Sequence, residues 1–136
     1  MKRRHTHQKD LILSAIEGPG CHRTADEVLA EVQKTDRGIG LATVYRNLNL
    51  FVQEGRIQKI SGEGWSYYDG NPKPHDHLHC RCCGRIFDYR APYDAAMDRA
   101  AEEFTSGKIE FHSTTYEGIC KDCLMKEDPE GSKEKN

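Results

Sequence analysis

Two cysteine pairs, Cys80-Arg81-Cys82-Cys83-Gly84 and Cys120-Lys121-Asp122-Cys123, are separated by 36 residues. Two thiols three positions apart on a tight turn grip one side of a metal ion. A second such pair closes the tetrahedron that Zn²⁺ prefers, with Zn–S near about 2.3 Å. The spacing therefore predicts a structural zinc held by Cys80, Cys83, Cys120 and Cys123. Disulfides need an oxidising compartment, and Met1-Lys2-Arg3-Arg4-His5-Thr6-His7 contains no apolar stretch of the kind that directs secretion, so a cytoplasmic location is expected. A redox CxxC belongs at a strand-to-helix junction of a βαβ unit, which the flanks do not provide. Cys82, inside the first pair, is an alternative ligand to Cys80 or Cys83, but the regular spacing favours those two. Cys21, beside Gly18-Pro19-Gly20, reads as a small, partly buried hydrophobe.

A second group of metal-ligand residues is His75, His77 and His79. Alternation in an extended segment puts their side chains on one face. Imidazoles with carboxylates suit Fe²⁺, Mn²⁺ or Zn²⁺, whereas thiolate-rich sets favour Zn²⁺ or Cu⁺.

The elements that must position these groups can be read from periodicity and caps. At 136 residues the chain is one domain or two small ones, and 36% apolar content leaves room for modest cores only. A zinc staple suits such a core. No run of about 18 apolar residues exists, so no membrane span is expected. Residues 1–68 carry 10 Lys/Arg against 8 Asp/Glu and residues 69–136 carry 10 against 14, so the first half is the one suited to an anionic partner. Thr6 is expected to cap a helix through Leu11, Ile12, Ala15 and Ile16 that ends at Gly18. Thr24-Ala25-Asp26-Glu27 is a capping box that opens a second helix, with Val28, Leu29 and Val32 inward. A third helix runs from Leu41 to about Glu54 and is halted by Gly55. Leu41, Val44, Leu48 and Phe51 recur on its inner face, which leaves Ala42, Thr43, Tyr45, Arg46 and Asn49 outside. Residues 57–61 and 65–68 flank Gly62-Glu63-Gly64 as a β-hairpin.

Three short helices and a hairpin follow the order of a winged helix-turn-helix, in which the third helix enters the major groove. Arg46 is suited to guanine or phosphate, and Ala42, Thr43 and Tyr45 to thymine methyls. In the second half, residues 85–89 alternate as a strand and residues 93–104 are helical, with Met97, Ala100, Ala101 and Phe104 on one side. Residues 108–119 alternate as a half-buried strand. Residues 127–136 have no apolar member and read as a disordered tail.

Leu41-Ala42-Thr43-Val44-Tyr45-Arg46-Asn47-Leu48, His75-Asp76-His77-Leu78-His79-Cys80 and the two CxxC pairs together resemble the ferric uptake regulator (Fur) family, over Thr6 to Cys123. The resemblance implies an α+β chain with three parts: a winged-helix DNA-binding domain over 1–69, a metal-binding α/β dimerisation domain with a four-cysteine zinc site over 70–126, and the tail. It implies a homodimeric, metal-responsive repressor of double-stranded DNA carrying an inverted-repeat operator, and no enzyme. It also implies a regulatory Fe²⁺ or Mn²⁺ held by His22, Asp69, His75, His77 and Asp88. Family members usually carry a further helix before the position of Thr6. Here only Met1 to His5 precede it, which leaves Lys2, Arg3 and Arg4 to supply backbone contacts. Aspartates at 69 and 88 resemble the peroxide-sensing branch, in which a histidine ligand, here His22 or His75, is oxidised. An iron- or manganese-level sensor is the alternative. A third family site would use Asp76 and His112, but Pro74 and Ala95 stand at its other positions, so the site is expected to be incomplete and His112 to be a surface strand residue. A zinc hydrolase or a zinc-stabilised protein-interaction module would leave the Tyr45-Arg46 helix without a role.

Overall fold

In the computed structural model, which describes residues 2–127, helix α1 spans Lys2–Ile16. Thr6 is an exposed residue inside α1 and does not cap it. Gln8 lies one turn before Ile12 and is almost buried, so the inward stripe begins earlier than the apolar residues alone indicate. Extending a nucleated helix is far easier than starting one, and the polar residues ahead of Gln8 join it. The chain then turns at Pro19, between Gly18 and Gly20 at φ 113° and 81°. It enters β1 (His22–Arg23), a strand too short to leave any period in the sequence.

Helix α2 (Ala25–Val32) opens with the expected capping box. The Glu27 N–H donates to Thr24 Oγ1 at 3.1 Å, and the Thr24 N–H donates to Glu27 Oε1 at 3.0 Å. Helix α3 (Leu41–Gln53) ends as Gly55 requires: at φ 77°, the N–H groups of Gly55 and Arg56 turn back to the carbonyls of Val52 and Phe51. Val44, Leu48 and Phe51 are fully buried, but Leu41 is 37% exposed because the inward stripe starts one turn later, at Val44. Ile12 and Ile16 of α1, Val28 and Val32 of α2, Ile39, Ile57 and Tyr68 complete one core.

Strands β2 (Gln58–Gly62) and β3 (Trp65–Asp69) pair antiparallel around Glu63-Gly64, and β1 joins the other edge of β3. The buried Tyr68 hydroxyl donates to Asn49 Oδ1 at 3.0 Å, tying this sheet to α3. These elements form one compact unit, Met1–Lys73.

The other unit, Pro74–Asn136, is built differently. Its sheet has β4 (Asp76–Cys80) at the centre, antiparallel to β5 (Ile86–Tyr89) and parallel to β6 (Thr115–Gly118). Helix α4 (Ala95–Thr105) makes the crossover and is capped by Asp94, which accepts the Ala96 N–H. The predicted strand over 108–119 shrinks to β6. Upstream of it, backbone donors go to side chains instead of a ladder: Ile109 to Glu102, His112 to the Tyr93 hydroxyl, Thr114 to Asp76. A short helix, α5 (Lys121–Glu127), is an addition to the sequence reading. It takes in Glu127, which the sequence reading places in the tail; residues 128–136 lie outside the described residues. No residue of α4 is buried, and Met97 and Phe104 are 49% and 91% exposed. Among the described residues, the buried apolar groups of this unit reduce to Cys80, Ile86 and Cys120.

Gly70 donates its N–H to the Cys21 carbonyl, at a point where a Cβ would stand 2.2 Å from the Ile16 oxygen and 2.4 Å from that of Gly18. Both are backbone atoms and cannot swing aside. Gly70→Ala is expected to destabilise the first unit by about 1–3 kcal/mol. Gly40→Ala, with open space at its Cβ, should cost less than about 1 kcal/mol. Urea unfolding of the two variants compares them, and equal midpoints would show that the chain does not pass this closely at Gly70.

Candidate functional site

Cys80 ends β4, Cys83 lies in the turn after it, Cys120 precedes α5 and Cys123 sits in its first turn. Their four sulfurs lie within 4.8 Å of one another. Gly84, at φ 78°, closes the first turn. Cys83 Sγ and Cys120 Sγ are 3.9 Å apart, too far for a disulfide bond of about 2.05 Å. That distance is close to the roughly 3.8 Å edge of a tetrahedron with Zn–S of about 2.3 Å. Burial raises the Cys80 thiol, but the N–H groups of Cys83, Cys120 and Cys82 aimed at its sulfur outweigh this and bring it down to about 6. Cys123 is pushed up to about 12, by hydrogen bonding to Cys120, then burial, then the sulfurs of Cys80 and Cys83. One sulfur of the cluster ionises readily, and the last resists because the others crowd it. A divalent cation removes that conflict, so the donor set fits Zn²⁺. Cys82 is exposed and outside the cluster. Cys21 belongs to the first unit, where its thiol faces the Ala15 carbonyl at 3.7 Å.

The histidines and aspartates form a group in each unit. In the first, His22 of β1 sits opposite Asp69 of β3, with His22 Nε2 3.2 Å from Asp69 Oδ2. Asp69 is fully buried, and its other oxygen accepts the Asn71 N–H at 2.8 Å. In the second, Asp88 of β5 faces His77 of β4. Its Oδ1 is 2.9 Å from His75 Nε2 and 3.4 Å from His77 Nε2, and the two rings lie 4.2 Å apart. Two imidazole nitrogens converging on one carboxylate oxygen, buried at His77, make a donor set that fits a small hard-to-borderline cation. His79 points its Nδ1 at Glu117 Oε1, 2.8 Å away, a partner the sequence reading does not foresee.

Helix α3 leaves Ala42, Tyr45, Arg46 and Asn49 exposed and Thr43 half-buried. Arg46 Nη2 reaches Thr43 Oγ1 at 3.4 Å, while the Asn49 oxygen is engaged by Tyr68. Lys2, Arg3 and Arg4 all fall within α1; Arg4 is exposed, with its guanidinium beside Gly38.

The family model for the ferric uptake regulator family matches residues 1–118. The chain belongs to this family. The Staphylococcus aureus peroxide-responsive repressor PerR is 32% identical over 124 residues, which cover 90% of this chain and 84% of the relative. Among solved structures, the Campylobacter jejuni peroxide stress regulator superposes with a TM-score of 0.68 at 26% identity, covering 90% of this chain and 93% of the other. The Francisella tularensis ferric uptake regulator, solved with iron, gives 0.70 at 26% identity, covering 85% and 89%.

In this Fur-family chain His112, one of the two residues left at the third family site, is held in a hydrogen-bonded clasp. Ala95 has no ligand to offer, but Asp98 lies one turn further along α4, and its Oδ1 is 2.6 Å from His112 Nδ1. The Tyr93 hydroxyl donates to Asp98 Oδ2 and accepts the His112 N–H at 3.0 Å. His112 is therefore held by partners and is not the plain surface residue expected. Tyr93, then His112, hold the Asp98 carboxyl below its ordinary range. A carboxylate one helical turn from Ala95 was the signal that would have found this clasp.

Cys120→Ser is expected to bring bound zinc well below one per chain, because it removes one donor and crowds out nothing. Cys82→Ser, which changes an exposed thiol outside the cluster, should leave zinc content intact. Metal analysis of both purified variants checks this, and a full complement in Cys120→Ser would remove the four-sulfur reading.

Proposed function

We propose that this chain is a metal-dependent repressor that binds double-stranded DNA as a homodimer. In this reading residues 1–69 are a winged-helix domain that lays α3 in the major groove, and residues 70–126 are a dimerisation domain stapled by Zn²⁺ at Cys80, Cys83, Cys120 and Cys123. The exposed apolar side chains of the second unit, Tyr89, Met97, Phe104, Phe111 and Tyr116 among them, support a face covered by a second copy. The operator is then an inverted repeat that mirrors the twofold symmetry of the dimer.

The observation that carries the regulatory reading is the presence, in each unit, of an aspartate already facing imidazole nitrogens. His22 and Asp69, with His75, His77 and Asp88, would hold one regulatory Fe²⁺ or Mn²⁺. A cation taken by all five selects one arrangement of the two units from those open to the free chain. Bound Fe²⁺ would supply the electrons that reduce peroxide. The chain's own part is to hold an imidazole, His22 or His75, where it is the first oxidisable group, and to let go of DNA once that ring is altered. An iron- or manganese-level sensor using the same five residues is the second reading, favoured by the likeness to a ferric uptake regulator solved with iron.

The experiment loads the protein with Fe²⁺ or Mn²⁺ without oxygen and adds mild peroxide. Tryptic mass spectrometry should find one added oxygen on His22 or His75 in the iron form only, with loss of DNA binding. An unmodified iron form that keeps its DNA would leave the level-sensor reading standing. Tyr45→Ala should separately erode discrimination between operator and random duplex by about 1–3 kcal/mol. Anisotropy titration measures it, and unchanged discrimination would mean that α3 does not read bases through Tyr45.

A further inference from the structure

Between α1 and the flank of α3 lies a groove of about 390 Å³. Lys9 and His5 line it from α1, and Arg46, Thr43 and Asn47 line it from α3. Gln8 also faces it. That residue is 9% exposed, and its side-chain amide is open to the solvent of the groove, since no buried side-chain polar atom lacks a partner among the described residues. Lys9 keeps its ammonium 5.9 Å from the centre of the Phe51 ring, and Arg46 extends across Thr43, so both cations have a fixed seat beside the groove. The described lining contains no carboxylate. Two cations and no carboxylate give the groove a positive lining.

The position of the groove says which anion. An α-helix with its side chains is about 10–12 Å across, and the major groove is about 12 Å wide. A helix seated there has base edges under its outer face and a sugar-phosphate strand along each flank. On α3, Ala42, Tyr45, Arg46 and Asn49 form the outer face, and Thr43 and Asn47 lie round the flank beside α1. We propose that this groove receives one backbone phosphate of the DNA strand running along that flank, bound by Lys9 and Arg46 with the Gln8 amide as a neutral donor. The inference rests on α3 being the reading helix, and it adds Lys9 and Gln8 of α1 to the DNA-contacting residues named above. A phosphate seat carries no sequence information. It fixes register, and it makes affinity depend on salt.

The test is an anisotropy titration of metal-loaded protein, from 50 to 200 mM salt, on an inverted-repeat duplex selected from a random pool and on a random duplex. Lys9→Ala should weaken both duplexes by the same several-fold factor. It should also flatten the log–log salt slope by about 0.9 per bound protomer, so that a bound dimer of the variant loses roughly 12-fold less affinity than the parent across that range. Lys9→Arg should restore the slope. Lys9→Gln, which keeps the stem over Phe51, guards against a packing effect and should behave like Lys9→Ala. Gln8→Leu should weaken both duplexes without changing the slope, because it removes no charge. If the Lys9 variants keep the parent's slope while Tyr45→Ala and Arg46→Ala lose binding, the phosphate seat is wrong and the reading helix stands. If no variant at Lys9, Tyr45 or Arg46 matters, the reading of α3 falls as well.

Discussion

Four sulfurs within 4.8 Å of one another must share either protons or a cation, and the second unit depends on which. Its sheet has three strands and its helix α4 buries nothing, so hydrophobic burial within this unit is slight. The two cysteine pairs join the end of β4 to the start of α5, and β6 leads directly into the second pair. A small domain with so little apolar interior draws its stability from a cross-link or a metal. The buried imidazoles of His77 and His79 fill space that aliphatic side chains would occupy in an ordinary core. The unit is thus organised around polar donors, and its fold and its chemistry are largely the same set of residues.

The first unit is the opposite case. Its core is aliphatic and continuous through all three helices, with Tyr68 and Phe51 as the largest members. Nothing in that core titrates near neutral pH; burial raises Tyr68 above its already high phenolic range. His22 and Asp69 stand at the edge of this solid body, on paired strands, and the imidazole and carboxylate are held by the ladder beneath them.

Much of this was legible in the sequence because the informative residues are strong local signals. Thr24 and Glu27 announce a capping box whatever surrounds them, and Gly55 marks the end of α3 because few other residues accept its backbone angle. The CxxC spacing likewise needs no tertiary context. What escaped the reading was decided by partners distant in sequence. β1 exists only because β3 lies beside it, and two residues carry no period. The strand expected over 108–119 yields to Asp76, Tyr93 and Glu102, which capture its backbone donors from other elements. The amphipathic face of α4 was visible, but it is not covered within the chain. Periodicity reports that a face is apolar and is silent on whether the same chain covers it.

The Tyr68 hydroxyl on Asn49 has a mechanical consequence. It bolts the sheet to α3, and two residues on, the close passage of Gly70 by Ile16 and Gly18 ties the same end of β3 to α1. Asp69 lies between these two fastenings. Packed interiors are stiff and do not deform by degrees, so a pull on Asp69 has no slack to take up inside this unit and cannot bend α3 into another shape. In the proposed reading, whatever is communicated there moves α3 and its unit as a single piece. Control of a unit so fastened is, in that reading, a matter of aim: the face of α3 is constant, and only the direction in which it points is left to be set.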